Sequence, residues 1–172
     1  MKIVKAPKSL PFDMGPSVFL AGSIEEGKAV DWQTKLTNGL KVPGVTVLNP
    51  RRSDWDESWE QTIEDDQFRG QVEWELAAQE TADVIAMYYD PETKSPITLL
   101  ELGLFCNWRF CPDGRPKKML VCCPKGFWRK GNVDIVCQRY GVEQVSSLET
   151  LISETRQLMR ALCVAERIAA QP

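Results

Sequence analysis

Two glutamates stand where a helix would set a carboxylate among apolar neighbours. Glu101 lies within Ile97-Thr98-Leu99-Leu100-Glu101-Leu102-Gly103-Leu104-Phe105. At about 100° per residue, Ile97, Leu104 and Trp108 fall in one narrow arc, and Glu101 falls inside it. Burying an unpaired charge costs several kcal/mol or shifts its pKa. Glu101 is therefore a working carboxylate, the cap of a neighbouring loop, or the partner of an arginine. Glu75, in Gln71-Val72-Glu73-Trp74-Glu75-Leu76, lies beside a stripe of Val72, Leu76 and Gln79. It is either a second working acid or a solvated helix flank. Two carboxylates from two helices can divide the roles of nucleophile and proton donor at a glycosidic bond.

Two loops add candidate binding groups. In Ala21-Gly22-Ser23-Ile24-Glu25-Glu26-Gly27, Gly22 permits close backbone approach. Free N–H groups at a following helix start would attract an anion or a sugar hydroxyl. In Asn49-Pro50-Arg51-Arg52, one arginine could hold a phosphate or a base edge, unless the segment is simply a solvated loop. The chain has no histidine. That removes serine–histidine and cysteine–histidine nucleophile pairs and the HExxH zinc site. Carboxylate, lysine, tyrosine or cysteine chemistry is left.

The elements that must position these groups alternate. Apolar runs at residues 17–21, 45–48, 84–88, 118–123 and 142–145 read as five strands. Residues 25–40, 67–81, 95–109 and 133–140 read as helices between them. Residues 51–64 read as a loop or short helical excursion carrying Trp55 and Trp59. Ser95 can cap a helix, and Pro96 suits its first position. Ser146 and Glu149 form a capping box that opens a long final helix. Alternation of this kind implies an α/β fold with about five mostly parallel strands and helices on both faces. Ligands of such sheets bind beyond the carboxyl ends of the strands.

The length, 172 residues, fits a single domain with its core over about residues 17–168. With 21 basic against 24 acidic residues, no clustered positive excess marks a nucleic-acid-polymer binder. No apolar run approaches the roughly 20 residues needed to span a membrane. The six cysteines, 106, 111, 122, 123, 137 and 163, lack the C-x-x-C spacing of metal or redox sites and read as reduced core thiols. The expectation is a cytoplasmic protein without metal or organic cofactor.

Taken in order along the chain, several segments resemble the nucleoside 2-deoxyribosyltransferase-like family. They are Val18-Phe19-Leu20-Ala21-Gly22-Ser23-Ile24, Leu48-Asn49-Pro50-Arg51-Arg52, Gln71-x-Glu73-Trp74-Glu75 with Ala82-Asp83, and Pro91-x-Thr93-x-Ser95-Pro96-Ile97-x-Leu99-x-Glu101-Leu102-Gly103. The resemblance spans roughly residues 17–145. It implies a flavodoxin-like, doubly wound fold and a retaining double displacement on a small nucleoside or nucleotide. Glu101 matches the family's nucleophile. Glu75 matches the acid, usually aspartate, that binds or protonates the leaving base. Gly22, Ser23 and Ile24 match the turn on the sugar side, and Gln71, Asn49, Arg51 and Arg52 join the substrate-binding set. Asn132 resembles an asparagine that some members lend to a neighbouring subunit, which implies a homodimer or higher homo-oligomer; the final helix is one candidate for its interface.

This chain departs from the family pattern at three places. Phe19 stands where many members have a tyrosine that orients the nucleophile, so Tyr88 or Tyr89 is expected to supply that donor. Glu75 is one methylene longer than aspartate. Ser95 replaces an aspartate of the transferases, and the related deoxynucleoside monophosphate N-hydrolases have a phosphate-contacting serine there. A nucleotide substrate thus stays open through Ser95 and Arg51 or Arg52. So do a pure hydrolase, a nucleotide-sensing module that no longer turns its ligand over, and cleavage of a nicotinamide-containing dinucleotide.

Overall fold

The computed structural model describes residues 1–25, 29–52, 55–56 and 58–171. Parts of two expected segments, the helix from residue 25 and the excursion at 51–64, therefore lie outside the described residues.

Six parallel strands form one sheet in the order β1-β3-β2-β4-β5-β6. They are β1 (Lys2–Lys5), β2 (Ser17–Gly22), β3 (Thr46–Asn49), β4 (Val84–Tyr88), β5 (Lys118–Cys122) and β6 (Glu143–Val145). The helices are α1 (Trp32–Leu40), α2 (Asp66–Thr81), α3 (Pro96–Phe105), α4 (Lys130–Tyr140) and α5 (Leu148–Ala169). This is the parallel α/β architecture expected from the alternation, in the flavodoxin-like, doubly wound form that the resemblance implies.

Strand alternation assigns the faces. Phe19, Ala21, Ile85, Met87 and Val121 pack with α2, α3 and α4 through Trp74, Ala78, Leu102, Phe105, Val133 and Cys137. Val18, Leu20, Val84, Ala86, Leu120 and Cys122 pack with α1 and α5 through Trp32, Leu36, Leu40, Leu151 and Met159. Central strands buried on both sides read as continuous apolar runs, which is why residues 84–88 were legible as a strand.

Several expectations need correction. β1 makes a sixth strand, paired from Lys2 opposite Thr46. Its sequence, Lys-Ile-Val-Lys, has too short an apolar run to stand out, and its lysines suit an exposed edge. The first helix starts at Trp32 rather than at residue 25, because Asp31 caps it by accepting from Thr34 N–H at 3.1 Å. The third helix ends at Phe105 rather than residue 109, and the fourth begins at Lys130 rather than 133. The expected Ser146–Glu149 capping box gives way to Ser147, whose Oγ accepts from Thr150 N–H at 3.1 Å. The stripe of α5 is spent on the sheet and α1, through buried Leu151, Met159 and Cys163.

The winding places the crevice that matters. From β2 the chain moves outward to β3, then returns to β4 on the other side of β2. The carboxyl ends of β2 and β4 therefore flank the switch point where such sheets bind ligands. Gly22 and Tyr88 face each other there. Gly22 has φ +148°, and a Cβ at that position would lie 2.3 Å from Tyr88 O, so only glycine lets the two strands end side by side.

Candidate functional site

Above the switch point, two segments far apart in sequence bring polar side chains together. Ser23 leaves β2 and is anchored by its N–H to Tyr88 O at 3.0 Å, while its carbonyl accepts from Trp32 Nε1 at 3.1 Å. Its Oγ accepts from Asp90 N–H at 2.9 Å and from Thr93 Oγ1 at 3.0 Å, and is in contact with Ser95 Oγ. Thr93 Oγ1 and Ser95 Oγ lie 2.7 Å apart. All three hydroxyl side chains are buried. Ser95 occupies the cap position of α3 but makes no side-chain cap bond; at φ +48° its hydroxyl is turned to Ser23 and Thr93 instead. The predicted capping role is therefore replaced by a hydroxyl cluster. Thr93 belongs to this cluster, and only its place in the family motif hinted at it.

The carboxylates lie on α2 and α3. Glu101 is 7% exposed, and its Oε1 accepts from Gln79 Nε2 at 2.6 Å. Glu75 is partly buried and accepts from Gln71 Nε2 at 2.7 Å. Gln71, Glu75 and Gln79 are spaced four residues apart, so one face of α2 presents an amide–carboxyl–amide ladder towards α3. Gln71 also donates to Pro50 O at 3.1 Å and accepts from Arg52 Nη1 at 3.4 Å. The Arg52 guanidinium lies 4.9 Å over the Trp59 ring.

The expected surroundings of Glu101 are revised. Ile97, Leu104 and Trp108 are exposed rather than core, and Glu101 is buried instead by turning towards α2, on the side of Thr98, Leu102 and Phe105. The replacement donor is neither expected tyrosine. Tyr89 Oη donates to Thr98 O at 3.1 Å, and Tyr88 packs on Trp32 with ring centroids 5.6 Å apart. Gln79 holds the nucleophile position's carboxyl instead. Its spacing of four from Glu75 was visible in sequence, but its partner on α3 was not. Gln79 Oε1 is buried with no hydrogen-bond partner among the described residues. Phe19 is fully buried and packs 6.4 Å from Trp74, as a core ring.

Burial pushes the Glu101 carboxyl up to about 8, the nearby Glu75 carboxyl raises it further, and the Gln79 amide pulls against both. Burial likewise lifts Glu75 to about 7, opposed by Gln71. Two coupled carboxyls in a poorly solvated place cannot both ionise easily. Around neutral pH the pair holds one proton: one carboxylate and one acid, side by side. Among the described residues, no group of three or more histidine, cysteine, aspartate or glutamate side chains is arranged to hold a metal.

The remaining candidates are placed as follows. Ile24 follows Ser23 and is partly buried. Asn49 is buried, and its Oδ1 accepts from Arg51 N–H at 2.9 Å, a local turn. Arg51 is drawn to α1, donating to Val30 O at 3.3 Å and Gln33 Oε1 at 3.2 Å, with Asp31 at 3.7 Å. Asn132 is exposed in a groove of about 310 Å³ between α3 and α4, lined also by Leu99, Leu102, Gly103 and Arg129. Glu101 is not among the residues that line that groove.

With this geometry in place, comparison with known proteins is informative. The model of a family described as nucleoside 2-deoxyribosyltransferase like matches residues 15–127, a span that holds β2 to β5 and both glutamates. No curated protein matches the chain.

Proposed function

The chain belongs to the nucleoside 2-deoxyribosyltransferase-like family, and from that premise we propose that it breaks an N-glycosidic bond of a nucleoside or nucleotide through a glycosyl-enzyme on Glu101. The observation that carries this reading is the buried Glu101 carboxyl, held by Gln79 and electrostatically coupled to Glu75 on the next helix. In the first step a Glu101 carboxylate oxygen attacks the anomeric carbon as the bond to the base nitrogen breaks. Positive charge grows on the sugar, and a carboxylate in a dry setting stabilises it. The step draws on the form of the pair that is ionised at Glu101 and protonated at Glu75, although burial by itself favours the proton on Glu101; that proton passes to the departing base. In the second step another base, or water, attacks the same carbon, gives a proton back to Glu75 and frees Glu101. Gly22, Ser23, Ile24 and Ser95 hold the sugar side; Asn49, Arg51, Arg52 and Gln71 border the base side.

A panel of nucleosides and their monophosphates, read by chromatography, tests this. Free base should appear from at least one, and intact-protein mass spectrometry should find a sugar on the chain. No base from any member would sink the reading. Adding a second free base separates the two second steps: an exchanged nucleoside marks a transferase, free sugar alone a hydrolase. The sensing alternative draws on Phe19, but Gln79 supplies a donor to Glu101 without a tyrosine.

Self-association is part of the proposal, since Asn132 matches an asparagine that some family members lend to a neighbouring copy's site. The exposed apolar side chains Ile97, Leu100 and Leu104 run along the outer face of α3, a better seat for a second copy than α5. Light scattering should give at least twice the chain mass; a monomer at micromolar concentration would remove this element.

A further inference from the structure

Lys117 is a buried lysine that takes no part in bond breaking. It precedes β5 and is 4% exposed. Its N–H donates to Arg109 O at 2.9 Å, which closes the loop running from α3 to β5. That loop turns the side chain under the carboxyl end of α2. There Nζ donates to Gln79 O at 2.7 Å and also to Ala82 O. Cys111 Sγ, from the same loop, donates to Ala82 O at 3.4 Å. The last carbonyls of a helix lack partners within it, and a lysine side chain can satisfy them. At Gln79 the need is specific. In a helix that continued, Gln79 O would accept from Asp83 N–H. That N–H donates to Ser17 Oγ at 3.3 Å instead, because the chain leaves the helix at Ala82 to enter β4.

Gln79 is thus held at both ends. Its carbonyl is tied to Lys117, and its side-chain amide donates to Glu101 Oε1 at 2.6 Å. It sits in the last turns of α2, where helices fray. Burial is the first cause that raises the Glu101 carboxyl, Glu75 on α2 the second, and the Gln79 amide opposes both. Tyr89, which follows β4, is a further titrating group that senses Glu101. The Lys117 charge is not among the causes that move Glu101. An influence of Lys117 on Glu101 is therefore expected to pass through Gln79. Resting on the glycosidic reading above, we propose that Lys117 is a positioning residue for the nucleophile: it pins the end of α2 and so keeps the Gln79 amide on the Glu101 carboxyl.

The test follows the Glu101 carboxyl by carbon NMR in protein labelled at its glutamate carboxyls, the signal being assigned by its loss in Glu101→Gln. Lys117→Met keeps the length of the side chain and removes its donors. It should raise the Glu101 midpoint by about one pH unit, the scale of one hydrogen bond to a charged group. It should also lower kcat by about tenfold while KM stays within about twofold. Gln79→Met should raise the midpoint alike, and adding Lys117→Met to it should raise it no further, since residues acting in series are not additive. Cys111→Ala removes a donor from Ala82 O but none from Gln79 O, and should leave the midpoint unmoved. Lys117→Gln, one bond shorter and unable to span both carbonyls, stands in if Lys117→Met does not fold, and is read in the same way. An unmoved midpoint in the folded variant overturns the role of Lys117. So does a full second shift in the Gln79→Met background, or an equal shift in Cys111→Ala, which would mark a general loosening. The titration needs no turnover. If no nucleoside or monophosphate releases base, the glycosidic reading fails while the tie from Lys117 through Gln79 to Glu101 is still decided. If base is released and the midpoint stays, only the role of Lys117 falls.

Discussion

Glu101→Gln is expected to slow base release by about 10⁴-fold or more, the scale on which removal of a covalent nucleophile acts, and to stabilise the protein above neutral pH. The loss follows from the proposed first step: glutamine keeps the size and the hydrogen-bonding capacity towards Gln79 but cannot form the ester with the sugar. The covalent adduct should vanish from the mass spectrum together with turnover. The gain in stability follows from linkage. Glu101 is raised from an ordinary 4.5 to about 8 by burial and by Glu75. A group whose folded value lies above its unfolded one holds its proton more tightly in the folded chain. Its stabilising contribution is complete below about 4.5 and is lost as pH rises through about 8. Glutamine has no such slope. Melting temperatures of the two proteins should therefore be similar near pH 5 and diverge up to pH 8, with the variant higher. Full activity in Glu101→Gln would end the glycosidic account. A variant that melts lower than the unaltered chain at pH 8 would show that its carboxylate is bound better than its burial implies.

The two halves of that expectation differ in how far the sequence discloses them. The strands and the αβ alternation were legible because central parallel strands are buried on both faces and read as unbroken apolar runs, as at residues 84–88. The lysine-flanked β1 was not, since an edge strand buries little and so carries little pattern. Glu101 could be singled out from one helix alone, yet the wrong neighbours were credited with burying it. Helical spacing fixes an angle around the axis but not which arc faces the protein; the outer arc of Ile97, Leu100 and Leu104 is as apolar as a core face. Gln79 escaped for a related reason. It acts through a partner on another element, α3, and no local rule pairs residue 79 with 101. Tyr89 was a reasonable donor by strand position, but its hydroxyl is used by Thr98 O.

The Glu75→Gln variant probes the pair as a pair. In the unaltered chain, the first proton should leave near pH 7 and the second near pH 8, so that the form with one carboxylate and one acid dominates between them. The pH profile of kcat/KM should then be a narrow bell with those limbs. Replacing Glu75 by glutamine has two consequences with opposite signs. It removes the proton donor, which costs about 10²- to 10³-fold in rate and costs most for bases that leave poorly. It also removes the like charge that raises Glu101, so Glu101 titrates below about 8 and the alkaline limb disappears, leaving a profile that rises to a plateau. Rates across the panel of bases, taken at several pH values, would show both. A solvated flank in place of a coupled acid would leave both the bell and the rates for every base where they were. Such a result would detach Glu75 from the chemistry while leaving Glu101 in it. The same substitution keeps the hydrogen-bonding partners of Gln71, so a loss confined to the poor leaving groups cannot be assigned to a collapsed α2 face; it reports the missing proton.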